Sequence, residues 1–208
     1  DLDLLDFLPE KIICNEGKGQ EVKLNFTFDD EFISCSYLVS KANGAKQEFS
    51  ITIPRFISKS KETFEVLGLL QAEMGKTMNG SLSFSNHEYQ IINKIIRWFE
   101  RELHLDKEKW RWSVKLNIQQ PTDGSYREDV ESKVITHWTD KSRIILERAY
   151  PKRVTYISNT KNTKLKFYDN GTLVLEYKNN LFSQVIKNLV RQITYEKILD
   201  YETEFIQG

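Results

Sequence analysis

The most regular stretch of polar chemistry in the sequence lies between residues 109 and 119. Apolar and polar side chains alternate there, which is the period of two of a β-strand. One face would carry the tryptophans and aliphatic residues, and the other would carry a polar row: Arg111, Ser113, Lys115, Asn117 and Gln119. Arginine and lysine donate to guanine and phosphate, and asparagine and glutamine pair with adenine, so the row fits a nucleic-acid surface. The alternative is the solvated outer face of an antiparallel sheet, which alternates in the same way.

The charge of the chain is balanced overall but uneven along its length. The 30 Lys and Arg cancel the 30 Asp and Glu, yet residues 141–191 hold 11 basic against 3 acidic residues. A clustered positive region attracts phosphate. Lys164 and Lys166, on one face of a predicted hairpin, form a second basic row. Further cations on the connecting segment suit either phosphate contact or a solvated surface: Arg143, Arg148, Lys152, Arg153 and Lys161.

A predicted helix over residues 61–76 carries an unusual stripe of small residues. Its apolar residues recur at helical spacing: Phe64, Leu67, Leu70 and Met74. Beside them run Gly68, Ala72 and Gly75, although each glycine inside a helix costs about 1 kcal/mol relative to alanine. Such a stripe favours close packing against another helix. Glu73 stands at the end of this helix, where an ordinary exposed acid is also common.

The segment Val66–Gly75 resembles the signature helix of the LAGLIDADG homing endonucleases. Gly68, Ala72 and Glu73 occupy the glycine, small-residue and terminal-acid positions of that motif. The chain departs from the motif at two positions, one often acidic and one usually glycine: Gln71 and Met74.

The segments that follow the signature helix are also similar to archaeal members of this family. They share order and spacing with the family: Gly80–Asn86, an isoleucine-rich helix and Leu105–Arg111. The resemblance extends from about residue 53 to about residue 193. It implies an α+β fold with a LAGLIDADG-like αββαββα core, in which helices cover one face of an antiparallel sheet. The expected domains are a β-rich N-terminal extension, residues 1–57, and a LAGLIDADG-like domain, residues 58–208.

The resemblance implies a homodimer that binds double-stranded DNA sequence-specifically and has endonuclease activity. In the family two signature helices pack face to face, here through Gly68, Ala72 and Gly75. The chain has one copy of the motif, so the pair requires a second chain. Glu73 of each copy would be the catalytic acid and a ligand of Mg²⁺, which binds through oxygen and activates water for phosphodiester hydrolysis. The Arg111 row, with Lys164 and Lys166, would lie in the major groove.

Two other functions are compatible with the same scaffold. The first is a non-catalytic DNA-binding transcriptional regulator, in which Glu73 is only a relic of the endonuclease. The second is an RNA-binding or protein-interaction module. A steep salt dependence of DNA binding would separate the DNA-binding functions from the last one.

Periodicity and turn signals predict the elements that position these residues. Residues 1–57 contain a three-stranded antiparallel meander, and a short strand at 81–85 precedes a helix over 88–103 with Asn86 as its N-cap. Residues 121–127 form a loop, followed by a short helix near Trp138. The Asp169-Asn170-Gly171 turn joins two strands of a hairpin, and an amphipathic helix begins near residue 181. Trp110 and Trp112 alternate with the polar row, so we expect them in the core rather than stacked on bases.

Composition excludes several classes of protein. The 2 Cys and 3 His of this 208-residue chain form neither a disulfide framework nor zinc-ligand spacing. No apolar run approaches the roughly 20 residues of a membrane helix. We therefore expect a cytoplasmic protein that does not contact membranes. Because the sequence begins with Asp1 rather than Met, a trimmed fragment is also expected.

Overall fold

The computed structural model describes residues 1–14, 20–40, 44–74, 81–105, 109–117, 122–141, 149–156 and 170–207. The N-terminal part consists of strands and one short 3-10 helix, Leu4–Phe7. Its strands are β1 (Leu2–Asp3), β2 (Lys11–Cys14), β3 (Gln20–Lys23), β4 (Asn25–Phe28), β5 (Phe32–Ser40), β6 (Lys46–Pro54) and β7 (Phe56–Ile57). The remainder comprises α1 (Lys61–Glu73), β8 (Leu82–Asn86), α2 (Tyr89–Glu102), β9 (Trp110–Leu116), α3 (Gly124–Lys141), β10 (Ala149–Tyr156), β11 (Thr172–Tyr177) and α4 (Asn180–Gln207).

The central sheet has the strand order β10-β9-β11-β8 and is mixed rather than antiparallel throughout. β11 runs antiparallel to both of its neighbours, whereas β10 runs parallel to β9. This corrects the expected antiparallel sheet. The physical reason is α3, which follows β9 and precedes β10 in the chain. This helix returns the chain to the end of the sheet where β9 began, so β10 runs in the same direction as β9. The α+β class is confirmed. The expected αββαββα core has two strands between its first two helices, whereas among the described residues one strand, β8, separates α1 from α2.

Helices cover one face of this sheet, as predicted. The inward side chains of β9 are buried, with Trp110 and Trp112 at most 1% exposed. They meet the apolar stripe of α2, where the ring centroid of Phe99 lies 5.5 Å from that of Trp110. Phe84 of β8 packs edge-on against Trp110 in the same cluster. The two tryptophans are therefore core residues, in agreement with the alternation in the sequence.

Two polar side chains set helix boundaries differently from the prediction. Asn86 is the last residue of β8, paired with Leu173, so it is not the N-cap of α2. Its Oδ1 instead accepts the N–H of Glu88, and the helix begins at Tyr89. Asp123 accepts the N–H groups of Ser125 and Tyr126 through Oδ1. The Asp-Gly pair read as a loop therefore begins an 18-residue helix.

The N-terminal strands form the predicted meander and dock against α4. β4, β5 and β6 pair in sequence order, all antiparallel. Gln184 of α4 accepts from the N–H of Ile13 and donates to its carbonyl oxygen, both at 2.8 Å. Asn188 donates to the carbonyl oxygen of Phe7 at 2.7 Å. Buried apolar residues form one continuous core on both sides of residue 57.

Candidate nucleic-acid interface

The outer face of the central sheet carries the polar row predicted from β9. Arg111 and Lys115 are exposed there, which agrees with the period of two. Ser113 lies between them but is only 8% exposed, beside Val174 of the neighbouring strand. Asn117 follows the last residue of β9 and is half-buried. Three other predicted contact residues lie outside the described residues: Gln119, Lys164 and Lys166.

The strand register arranges this face in cross-strand rows. Glu176 of β11 lies between Arg111 of β9 and Ser83 of β8. At the other end of the face, Thr172 and Thr155 flank Lys115 on the strands to either side. In the central row, Ser113, Val174 and Ser85 are neighbours. Hydroxyls and one carboxylate thus surround the two cations.

Several of these residues were missed by the sequence analysis. Glu176, Thr172 and Val174 alternate with buried residues of β11, so the same period of two that identified Arg111 could have found them. Their position beside β9 could not be found in that way, because register is set by pairing between distant segments. Arg153, assigned to a connecting segment, lies in β10 and is exposed. Arg143, Arg148, Lys161 and the side chain of Lys152 fall outside the described part of the chain.

Charge on this face is predominantly positive. Arg111 and Lys115 are the exposed cations of the three rows, and Glu176 is the one acidic residue among their described positions. Arg153 is a third exposed cation, one residue before the paired part of β10. The ion pairs formed among described residues lie elsewhere, for example Arg55–Asp3 and Arg101–Glu62. Within the described part of the chain Arg111, Lys115 and Arg153 form no ion pair, and cations in this state attract anionic ligands such as phosphate.

Helix α3 holds β10 and the start of β11 in place. Trp138 of α3 donates to the carbonyl oxygen of Asn170 at 2.8 Å, next to the start of β11. Tyr156 of β10 donates to Glu131 of α3 at 3.0 Å. Burial, together with that carboxylate, raises the pKa of Tyr156 to about 12, so the phenol stays a donor. The ends of β10 and β11 are thereby fixed relative to one helix.

Glu73 lies at the end of α1, beside the edge strand β8. The carboxylate is half-buried, and its Oε1 accepts a hydrogen bond from Asn86 Nδ2 at 3.0 Å. Met74 forms a β-bridge with Phe84, which fastens the end of the helix to the strand. A carboxylate oxygen is the ligand type that Mg²⁺ prefers. Among the described residues, no group of three or more His, Cys, Asp or Glu is placed so that it could hold a metal ion.

The stripe of small residues on α1 faces outward. Gly68 and Ala72 are exposed, whereas Val66, Leu67 and Leu70 on the opposite side of the helix are buried. A Cβ atom added at Gly68 would meet nothing within 4 Å. No described part of the chain therefore packs closely on this glycine. Gly75, the third predicted member of the stripe, lies outside the described residues.

The fold and this surface together define an α+β protein with a mixed sheet whose cation-bearing face is left open by the helices. Comparison of the chain with protein-family models, with curated proteins and with solved structures found no match. Among the described helices, none is both long enough and apolar enough to cross a membrane.

Proposed function

We propose that this chain binds double-stranded DNA through the outer face of its central sheet. The observation that supports this function best is the set of three exposed cations, Arg111, Lys115 and Arg153, among short hydroxyl side chains. The major groove of B-DNA is about 12 Å wide and admits a β-ribbon. Neighbouring strands are about 4.8 Å apart, so two or three strands match that width.

The spacing along β9 also suits a duplex. Arg111 and Lys115 are four residues apart, which corresponds to about 13 Å in a strand. The duplex rises about 3.4 Å per base pair, so the two side chains would reach positions about four base pairs apart. Between them Ser113 is too enclosed to reach a base edge. In this arrangement Arg111 and Lys115 give most of the affinity, and the hydroxyls of the flanking strands adjust orientation.

We further propose that the protein is a homodimer with LAGLIDADG-like, Mg²⁺-dependent endonuclease activity. The outward stripe with Gly68 and Ala72 suits close pairing of two α1 helices. Glu73 from each copy would hold Mg²⁺, which supplies water activation and charge stabilisation for phosphodiester hydrolysis when bound. Asn86 acts as a positioning residue because it fixes Oε1 of Glu73. Oε2, to which no described residue donates a hydrogen bond, would be the oxygen that takes the cation.

The test is cleavage and recovery of a randomised duplex library in Mg²⁺, with Glu73→Gln compared with wild type. Glu62→Gln is the matched control, because it makes the same change on the same helix. Wild type and Glu62→Gln should cut, and Glu73→Gln should bind selectively without cutting. Selective binding without cutting by all three proteins would instead identify the non-catalytic regulator. A preference for single-stranded RNA over duplex would contradict the proposal.

Dimerisation through α1 has a separate test. Gly68→Leu fills open space in a single chain, so the fold tolerates it, but the side chain blocks close approach of a second helix. Arg97→Leu places the same side chain at an exposed position of α2 and serves as control. Light scattering should show Gly68→Leu alone losing the α1 pair. Equal masses for both variants would argue against this pairing.

A further inference from the structure

One carboxylate, that of Glu176, lies on the outer face of the central sheet among cations and hydroxyls. Glu176 is placed between Arg111 of β9 and Ser83 of β8 in a single cross-strand row. It is half-buried on this face, and Arg111 beside it is exposed. Within the described part of the chain neither of the two forms an ion pair. Because phosphate repels a carboxylate, an acid at this place is favourable only if the ligand presents a hydrogen-bond donor to it.

The proposed DNA complex sets this row along one base pair. In that complex the strands follow the major groove and the rows of the sheet cross it, so neighbouring members of a row face the same pair. Side chains opposite each other on paired strands have Cβ atoms about 4.5–5.5 Å apart. Arg111 and Glu176 therefore present a donor group and an acceptor group side by side. The next row, with Val174, lies about 6.8 Å along the strand, which corresponds to about two base-pair steps.

This order of donor and acceptor matches the major-groove edge of a G·C pair. Guanine presents the acceptors N7 and O6, and cytosine presents its N4 amino donor beside them. The guanidinium of Arg111 can donate to both guanine acceptors, and a carboxylate accepts from N4. A reversed pair, C·G, would set donor against donor and acceptor against acceptor. In an A·T pair the carboxylate would face the acceptor O4 of thymine, and in a T·A pair Arg111 would find one acceptor instead of two.

From this match we infer that Glu176 determines specificity by accepting a hydrogen bond from cytosine N4, while Arg111 donates to the paired guanine. The inference rests on the proposed DNA binding and adds to it a G·C pair at one fixed position of the target. The carboxylate acts mainly against other base pairs, because an acceptor in front of it is repelled. The row of Lys115 carries no such restriction, since its neighbours Thr172 and Thr155 have hydroxyls that both donate and accept.

The first measurement is the base preference of the bound fraction of a randomised duplex library, recovered in EDTA so that nothing is cut. Wild type should select G·C at one position. Glu176→Gln, whose amide can also donate to thymine O4, should reduce the preference for G·C over A·T there about tenfold. Its affinity for duplex of random sequence should not fall, which separates the effect from misfolding. Glu48→Gln removes the same charge from an exposed position of β6 and should keep the wild-type preference.

A single modified base separates direct contact from an indirect effect through Arg111. N4-methylcytosine still pairs with guanine, but a methyl group replaces the N4 hydrogen that faces the major groove. At the selected position it should weaken wild-type binding about tenfold and leave binding by Glu176→Ala nearly unchanged.

The outcomes distinguish the inference from the function on which it rests. Equal weakening of wild type and Glu176→Ala by the methyl group would overturn the inference and leave DNA binding intact. So would a wild-type library without a selected G·C position, or a G·C preference that Glu176→Gln retains in full. Failure of wild type to bind any duplex would refute the proposed function itself, and the inference with it.

Discussion

Asn86 illustrates how one residue can serve three structural roles at once. It ends β8, accepts the N–H that precedes α2, and donates to the carboxylate of Glu73. The residue is 6% exposed, so each of these polar atoms needs a partner. A shorter or apolar side chain would release both the helix start and the carboxylate. The position of the candidate metal ligand is thus coupled to the packing of β8 and α2.

Gly171 is the residue whose replacement should damage the sheet most directly. Its φ is +69°, and an added Cβ would lie 2.7 Å from both the Leu116 side chain and the Lys115 carbonyl oxygen. Backbone strain and overpacking each cost about 1–3 kcal/mol. Gly171→Ala should therefore lower the free energy of unfolding in urea by about 2–6 kcal/mol. Because the clash is with Lys115, the proposed DNA binding by the folded fraction should weaken as well.

Gly124→Ala is the control for this substitution. Gly124 begins α3, and a Cβ there meets nothing within 4 Å. Alanine should leave the unfolding free energy unchanged or raise it by up to about 1 kcal/mol. If Gly171→Ala and Gly124→Ala had the same effect, the close approach of the turn to β9 would be refuted.

At the scale of single residues, the sequence predicted which side chains are exposed better than it predicted which side chains of other strands lie beside them. The alternation in β9 correctly placed Arg111 and Lys115 outside and Trp110 inside. It could not show that Ser113 is enclosed, because that depends on Val174, which lies 61 positions away in the chain but pairs with it. The position of Glu176 beside Arg111 could not be predicted for the same reason. Side-chain direction is a local property, whereas the composition of a sheet face depends on register between distant strands.

At the scale of elements, the parallel pair β9–β10 was the least predictable feature. A hairpin can be predicted from a short turn sequence such as Asp169-Asn170-Gly171. A crossover connection between parallel strands has no such turn sequence, and only its helix can be predicted. Asp123-Gly124 was read as a turn, and the predicted helix near Trp138 was correspondingly short. With α3 at its full length, a parallel return becomes possible. The α+β class and the covered face followed from periodicity, while the strand direction required tertiary contacts.

Glu102 connects the N-terminal strands to the helical layer. Its Oε2 accepts the N–H of Ser58 at 2.8 Å, and its Oε1 accepts from Arg101 at 2.9 Å. Arg101 also pairs with Glu62 of α1 at 3.0 Å. Burial raises the pKa of Glu102, but the Ser58 and Arg101 hydrogen bonds outweigh it, and the pKa lies below its usual value. The ionised form is therefore stabilised by folding.

This lowered pKa predicts the pH dependence of a variant. A carboxyl whose pKa is lower in the folded chain contributes stability above its ordinary value of 4.5 and loses it as the pH falls through the folded value. Glu102→Gln should cost about 1–2 kcal/mol of unfolding free energy at pH 7, and the difference from wild type should shrink below pH 4.5. Urea unfolding across pH 3–7 measures this, with the exposed Glu48→Gln as control. A difference that is constant with pH would contradict the assignment.

At the scale of the whole molecule, the N-terminal strands and the helical layer share one core. Leu4 and Phe7 are buried in the same cluster as Ile186 and Leu189 of α4. The amide side chains of Gln184 and Asn188 add hydrogen bonds to the backbone of the N-terminal segment. Sequence composition suggested a boundary near residue 57, because the strand pattern stops there. A change in secondary structure does not require a gap in the core, and here the core is continuous.

Zero net charge also conceals an uneven distribution of charge at this scale, which bears on the proposed DNA binding. Binding to duplex DNA releases condensed counterions in proportion to the phosphates neutralised, so the slope of log K against log salt counts those contacts. Arg111→Gln and Lys115→Gln should each reduce the magnitude of that slope by about 1. Glu176→Gln should strengthen binding, since it removes the carboxylate beside Arg111. Fluorescence anisotropy with a labelled duplex between about 50 and 200 mM salt covers the range in which these differences are large.

The matched control for the salt series is Arg97→Gln. Arg97 is exposed on α2, on the side of the sheet that the helices cover, and should lie away from DNA bound at the outer face. Its replacement removes the same charge from the molecule as Arg111→Gln does. If binding depended only on net charge, the two variants would change the slope equally. A reduced slope for Arg111→Gln with a wild-type slope for Arg97→Gln would locate the phosphates at the outer face, whereas the reverse result would move the interface to the helical side.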